Sequence, residues 1–275
     1  MSEPAASPVP PPNIVDFQRV TKRFGNLTVI RDVTFSVSDL PDKGEFIAIL
    51  GPSGCGKSTV LRLIAGLRPQ YPASEGTVLV GGKPVACPGP DRSMVFQDYT
   101  SFDNRTVEDN VAFGLECQGV PGRERRERAR VWIEKVGLDV KRDATKYPSE
   151  LSGGMRQRVA IARTLILSPR IILMDEPFGA LDPTTRLHMQ ALLVELWKEA
   201  QATVFFVTHS IEEAIYLGDR VYVFSSSPGT ILREMSVPPP DRPPKEMLRD
   251  PAFVERVCAV RDIMDNLATS TRAGD

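Results

Sequence analysis

The stretch Glu45–Ala65, EFIAILGPSGCGKSTVLRLIA, decides the fold. Phe46 to Leu50 are apolar without interruption, the pattern of a strand covered on both faces. Gly51-Pro52-Ser53-Gly54-Cys55-Gly56-Lys57-Ser58 then matches GxxxxGK[ST], Thr59 follows, and an apolar helix is predicted over Ser58–Ala65. Strand, glycine-rich loop and helix start, in that order, make a phosphate cradle. Gly51, Gly54 and Gly56 let backbone N–H groups converge on phosphate oxygens, and the whole run Gly51 to Thr59, with Pro52, Ser53 and Cys55, is the candidate nucleotide-binding loop. Lys57 is placed to reach the β and γ phosphates, and the Ser58 hydroxyl to ligate Mg²⁺. Cys55 inside the loop reads as a small filler, not a nucleophile.

Two further apolar runs, RIILM (Arg170–Met174) and TVFFV (Thr203–Val207), read as core strands, and helices are predicted over Pro183–Glu199 and Ile211–Leu217. Strands alternating with helices imply a parallel sheet covered on both sides. Ahead of the phosphate loop, IVDFQRV (Ile14–Val20) and VTFSV (Val33–Val37) read as strands, the second with apolar and hydroxyl residues alternating. From Asp98 to Leu167 the pattern is nearly all helical. The expected fold class is α/β. It is a phosphate-loop NTPase with a mainly parallel core sheet, an N-terminal antiparallel β subdomain and a helical subdomain inserted over about 98–167.

Carboxylates stand where such a cradle needs them. The run Ile171–Met174 ends in Asp175-Glu176. Asp175 is placed to hold Mg²⁺, directly or through water, and Glu176 to accept a proton from an attacking water. His209 follows TVFFVT at the end of another core strand, where strand ends gather around a ligand. It is read as a γ-phosphate contact, whereas His188, in mid-helix among polar residues, is read as structural. Gln97, after the strand-like SMVF, is a candidate metal and water contact.

One stretch looks redundant. Leu151-Ser152-Gly153-Gly154-Met155 opens a helix with a hydroxyl and two glycines, a second anion-binding design about a hundred residues after the first. Val159, Ala162 and Ile166 also give that helix an apolar packing face.

Bulk properties exclude other classes. The chain has 275 residues, a net charge of −1 and 25% charged residues, which argues against a nucleic-acid binder working by bulk electrostatics. Four cysteines without a CxxC pair suggest neither a zinc site nor a disulfide framework, and a reducing cytosol fits. No apolar run is long enough to span a bilayer. Met1 to about Asn13 reads as a proline-rich, disordered leader, and Pro121–Arg130, with five arginines and two glutamates, as a solvated helix face. After Met235 a proline-rich linker precedes a short amphipathic helix, Phe253–Met264.

In order and spacing these residues resemble the ATPase subunit of an ATP-binding cassette (ABC) transporter, over nearly all of Ile14–Leu232. Phe24, 27 residues before Gly51, stands where that family stacks an aromatic ring on adenine. Gln97 is similar to the family's Q-loop, LSGGM to its signature, and Asp175-Glu176 to its Walker B pair. Asp182 in Ala180-Leu181-Asp182 is similar to the D-loop, and His209 to the switch histidine. The resemblance implies that two cassettes, expected to be identical, pack head to tail. Ser152, Gly153 and Gly154 would then serve an ATP held by the partner chain. A single cassette without membrane spans resembles bacterial importers, closest to the nitrate/sulfonate/taurine branch. It implies a separate permease, a solute-binding protein, attachment at the cytoplasmic face of the inner membrane, and no nucleic-acid partner. DYTSFDNRTVEDNVAFGLE after Gln97 departs from that branch's usual apolar stretch, and Tyr99 and Phe102 are the candidates for touching the permease. An exporter or a non-transport ATPase is the alternative reading.

Overall fold

The computed structural model describes residues 12–40, 43–98 and 101–272, apart from the side chains of 267–272. Most of the leader expected over 1–13 lies outside the described residues. The first half of the chain runs β1 (Asn13–Phe24), β2 (Leu27–Ser38), β3 (Phe46–Leu50), α1 (Lys57–Ala65), β4 (Glu75–Val80), β5 (Lys83–Pro84) and β6 (Arg92–Val95). Helices follow: α2 (Val107–Cys117), α3 (Gly122–Lys135), α4 (Val140–Asp143) and α5 (Gly153–Leu165). Alternation then resumes with β7 (Ile171–Asp175), α6 (Pro183–Ala200), β8 (Thr203–Thr208), α7 (Ile211–Leu217), β9 (Arg220–Phe224) and β10 (Ile231–Ser236). Two helices close the chain, α8 (Pro244–Met247) and α9 (Pro251–Arg272).

Six strands form the core sheet in the order β10-β9-β3-β8-β7-β6, all parallel except β10, which runs antiparallel to β9. A second, antiparallel sheet has the order β2-β1-β4-β5. The continuous apolar runs now have a physical account. Side chains alternate across a strand, and each face of the core sheet meets a different layer. Phe46, Ala48 and Leu50 face the cluster shared with α2, α5 and α6; Ile47 and Ile49 face the one shared with α1 and the antiparallel sheet. Consequently β3, β7 and β8 are buried at every position. Each fully buried Ile or Leu there contributes roughly 1.5–3 kcal/mol.

The tail differs from its sequence reading in length. Asp250 accepts bonds from the N–H groups of Ala252 (2.8 Å) and Phe253 (3.2 Å), so it caps α9 with Pro251 in the first turn. The helix therefore starts two residues before Phe253 and runs on past Met264 to Arg272. Phe253, Val257 and Val260 are buried in the same cluster as α6 and α7, which ties the tail to the core. No helix among the described residues is long and apolar enough to cross a membrane.

Candidate functional site

Parallel strands deliver their C-terminal ends to one edge. Leu50 pairs with Thr208 across β3 and β8, and Asp175 with Val207 across β7 and β8. The phosphate loop, the Asp175-Glu176 pair and His209 thus emerge side by side. This is the edge at which open α/β sheets bind ligands. Val95 pairs with Met174, so the exposed Gln97 leaves the sheet at the same edge.

Close packing shapes the loop. Gly56 has φ 97°, a left-handed conformation, and a Cβ there would lie 2.4 Å from Ile30 Cγ2 on β2. Only glycine fits both demands. Lys57 is 4% exposed, and its Nζ donates to the carbonyls of Gly51 (2.8 Å) and Pro52 (2.9 Å) across the loop. Cys55 is fully buried, and burial pushes its thiol pKa up. It is a protonated filler, in line with its sequence reading.

Ser58 Oγ donates to Asp175 Oδ1 at 2.7 Å, joining the loop to the end of β7. Burial pushes the Asp175 carboxyl upward, opposed by the Ser58 bond and the Arg62 and Lys57 cations. Arg62, whose Nη2 lies 3.9 Å from Asp175 Oδ2, escaped the sequence reading because nothing in the motif points to it. Glu176 has φ 45°, left-handed without being glycine, the strain expected at functional positions. Its Oε1 lies 4.0 Å from Lys57 Nζ and its Oε2 3.2 Å from His209 Nδ1. A carboxylate thus stands between an ammonium and an imidazole at the loop's mouth.

Beneath His209, Thr208 Oγ1 donates to buried Glu213 (2.6 Å), and Gln190 Nε2 reaches the other carboxylate oxygen at 3.3 Å. These bonds fix the strand-to-helix bend that carries His209. Glu213 was also missed, since SIEEA reads as an ordinary helix start.

The second anion-binding stretch does not join this cluster. Ser152 caps α5 by accepting from Met155 N–H at 3.3 Å, and it is exposed. Among the described residues, no hydrogen bond or ion pair links Ser152, Gly153 or Gly154 to the phosphate loop. Gly154 instead packs on α6, where a Cβ would lie 2.9 Å from the Thr185 methyl. Asp182 caps α6 through the N–H groups of Thr184 (3.1 Å) and Thr185 (3.0 Å), and the Thr185 bonds hold its carboxyl below the usual range. Phe24 ends β1 at the Gly25-Asn26 turn, with Lys22 Nζ 5.0 Å from its ring centroid. Next in β2 come Val29 and Ile30, which touch Gly56.

A family model described as "ABC transporter" matches residues 30–179, which hold the phosphate loop, the Ser152–Gly154 helix start and the Asp175-Glu176 pair. The chain belongs to the ABC transporter family. This cassette is 45% identical over 247 residues to a nitrate import ATP-binding protein of Synechocystis, covering 87% of this chain and 90% of that one. It is 52% identical over 194 residues to a taurine import ATP-binding protein of Rhizobium johnstonii, covering 70% and 72% of the two chains. Among solved structures it matches a dimeric ATP-binding cassette in a post-hydrolysis state bound to ADP and Pi, with a TM-score of 0.69 and 33% identity. That match covers 82% of this chain and 99% of the other. The fold and the ATPase activity follow from this membership.

The ABC cassette also carries an apolar groove of about 380 Å³ between β6, α2 and α5, lined by Met94, Phe96, Phe102, Phe113, Arg163 and Leu167. Phe102 packs on Phe113 at 4.4 Å between ring centroids, and the Arg163 guanidinium lies 5.6 Å from the Phe102 ring. Burial pushes the Arg163 pKa down. Asn110, fully buried, clamps the loop. Its Oδ1 accepts from Phe102 N–H (2.8 Å) and its Nδ2 donates to the carbonyls of Phe102, Arg105 and Thr106. Tyr99, the other expected permease contact, lies outside the described residues.

Proposed function

We propose that this chain is the ATP-hydrolysing subunit of an importer that works as a pair of cassettes on a separate membrane permease. The solute class is a small anion such as nitrate or an organic sulfonate. The names of the nitrate and taurine import relatives support importer and solute class; the dimeric cassette bound to ADP and Pi supports the pairing. On this reading the subunit sits at the cytoplasmic face of the inner membrane, and a solute-binding protein delivers cargo to the permease. Residues 14–235 make up the ATPase domain, with 98–167 its helical part and 236–275 a tail.

One observation carries the catalytic reading: Glu176 Oε1 and Oε2 stand 4.0 Å from Lys57 Nζ and 3.2 Å from His209 Nδ1. Phe24 stacks on adenine, and backbone N–H groups of the Gly51–Thr59 loop, Pro52 excepted, bind the phosphates. Glu176 takes a proton from the attacking water as its oxygen bonds to the γ phosphorus. The bond to the β–γ bridging oxygen breaks, giving ADP and phosphate. Lys57 and His209 balance the charge that develops on the γ oxygens. Ser58 Oγ and Asp175 Oδ1, 2.7 Å apart, are hard oxygen donors of the kind Mg²⁺ takes when a nucleotide supplies the other ligands, and Gln97 leaves the sheet at the same edge. Mg²⁺, when bound, would neutralise charge on the β and γ phosphates.

Ser152, Gly153 and Gly154 serve the ATP of the other cassette, presenting the unpaired N–H groups of α5 to its γ phosphate. Asp182, which holds the Thr185 N–H next to Gly154, takes the D-loop role at the contact between the two cassettes. ATP holds the pair closed, and loss of the γ phosphate lets it open. The test is to isolate the native membrane complex and measure which solute stimulates its ATPase. Stimulation by nitrate or an alkanesulfonate is expected. Stimulation only by a cation or a sugar would remove the solute class.

A further inference from the structure

Gln157, in the second turn of α5, is fully buried, and its Nε2 donates to the Pro177 carbonyl at 2.6 Å. Its Oε1 is buried without a hydrogen-bond partner. An orphaned buried acceptor is destabilising. Methionine has nearly the same length and fills such space without that cost. What glutamine adds is the bond to Pro177.

That bond reaches the catalytic loop. Pro177 follows Glu176, whose backbone is held at φ 45°, and no backbone N–H among the described residues bonds the Pro177 carbonyl. A second contact lies one turn earlier on the same helix. Gly154 abuts the Thr185 methyl, and the Thr185 N–H is held by Asp182. The start of α5 therefore grips the 177–185 segment at both ends.

We propose that Gln157 is a positioning residue that ties each chain's Ser152–Gly154 helix to the loop carrying the same chain's Glu176. The inference rests on the reading above, in which that helix start serves the partner's ATP. Gln157 then joins the two sites. Through the Pro177 carbonyl, α5 holds the carboxylate that acts on the ATP in this chain's own phosphate loop, and nucleotide seated against α5 adjusts that hold.

Gln157→Met tests this. It removes one orphaned acceptor and creates another at Pro177, so the folding midpoint should stay within a few degrees of wild type. In the homodimer the expected result is an unchanged KM for ATP, a kcat about tenfold lower and a Hill coefficient falling toward one. Wild-type kcat and Hill coefficient would overturn the proposal. So would a raised KM with a lowered midpoint, which marks general damage. Gln157→Asn, which withdraws the amide by one methylene, must show the same split between kcat and KM if the Met variant does not fold.

A mixed dimer separates this idea from the one beneath it. Lys57→Ala on one chain and Ser152→Arg on the other leave one working site if the signature acts in trans. That site uses Glu176 of the Ser152→Arg chain. Gln157→Met added to that chain should lower turnover about tenfold, and added to the other chain should spare it. Equal or reversed effects would overturn the proposal. An inactive starting dimer would reject the trans reading alone, and the homodimer's kcat and KM would then decide the Gln157 link.

Discussion

His209 Nδ1 lies 3.2 Å from Glu176 Oε2, although the two residues leave different strands. The pairing of Asp175 with Val207 places each residue just beyond its strand, and the Thr208–Glu213 bond fixes the bend beneath the imidazole. The histidine therefore orients the carboxylate, and on the proposed function it also faces the γ phosphate. His209→Ala is expected to lower kcat by about 10²-fold while leaving ATP affinity within about threefold. Steady-state kinetics with a separate nucleotide-binding titration check both halves.

Lys57 donates to two loop carbonyls and lies 4.0 Å from Glu176. Lys57→Ala removes the cation that would balance the γ oxygens, so kcat/KM for ATP should fall by about 10²–10³-fold. Lys57→Arg should not restore it, because the longer planar group overfills a site that is 4% exposed. Recovery by arginine would show that charge alone suffices.

Gly56→Ala tests the loop's backbone. With φ 97° and a Cβ 2.4 Å from Ile30 Cγ2, the variant must move β2 or the loop. It should lower the folding free energy by about 1–3 kcal/mol and abolish nucleotide binding. Denaturant unfolding and fluorescent-nucleotide titration report the two effects separately.

Asp143 gives a pH prediction. Its buried carboxylate bonds to Arg142 (2.9 Å), Lys146 (2.8 Å) and the Asp139 N–H (3.1 Å). Arg142 foremost, with Lys146 and that N–H, holds its pKa well below the ordinary 3.8. A depressed carboxylate contributes stability above its unfolded pKa, and the contribution is lost as pH falls through that value toward the folded one. Asp143→Asn should therefore unfold more easily at neutral pH, and the gap from wild type should narrow below about pH 4. A gap that is constant with pH would contradict the ion-pair account.

Asn110 carries the helical part's loop geometry. Asn110→Leu strands the Phe102 N–H and the Arg105 carbonyl, while the Phe102 and Thr106 carbonyls keep bonds from the N–H groups of Arg105 and residue 110, which should cost about 1–3 kcal/mol. With the groove loosened, solute-stimulated turnover in the assembled complex should fall more than unstimulated turnover. An equal fall in both would detach the groove from the permease.

The sequence revealed most where one residue type has one physical role. Phe46–Leu50, Ile171–Met174 and Thr203–Val207 are legible as core strands because both their faces are covered, and the Gly51–Ser58 spacing leaves few alternatives. Ile211–Leu217 is a helix in both the sequence reading and the structure, where Ser210 caps it by accepting from Glu213 N–H. Extents were less legible. β1 and β2 run through Arg19 (φ 53°) and Asp32 (φ 47°), irregularities that break the period-two pattern and hide the strands' full length. β10 went unread because, at the sheet's edge, it is largely exposed and polar, LREMS giving no buried face; β9 went unread although Val221–Phe224 are buried. Asn110, Gln157 and Glu213 stayed hidden for another reason. Each is a polar residue whose partners come from tertiary packing, and nothing in the neighbouring sequence announces them.

The central claim is that Glu176 is the general base of an ATP-bound pair of cassettes. Its most direct test is Glu176→Gln, which keeps size and shape but cannot take the proton. ATP hydrolysis and mass by light scattering should be measured together, with and without Mg-ATP. The account predicts ATP binding near wild type, hydrolysis lowered by at least about 10²-fold and a stable dimer that forms only with ATP. Near-normal hydrolysis, or a species that stays monomeric with ATP bound, would contradict it.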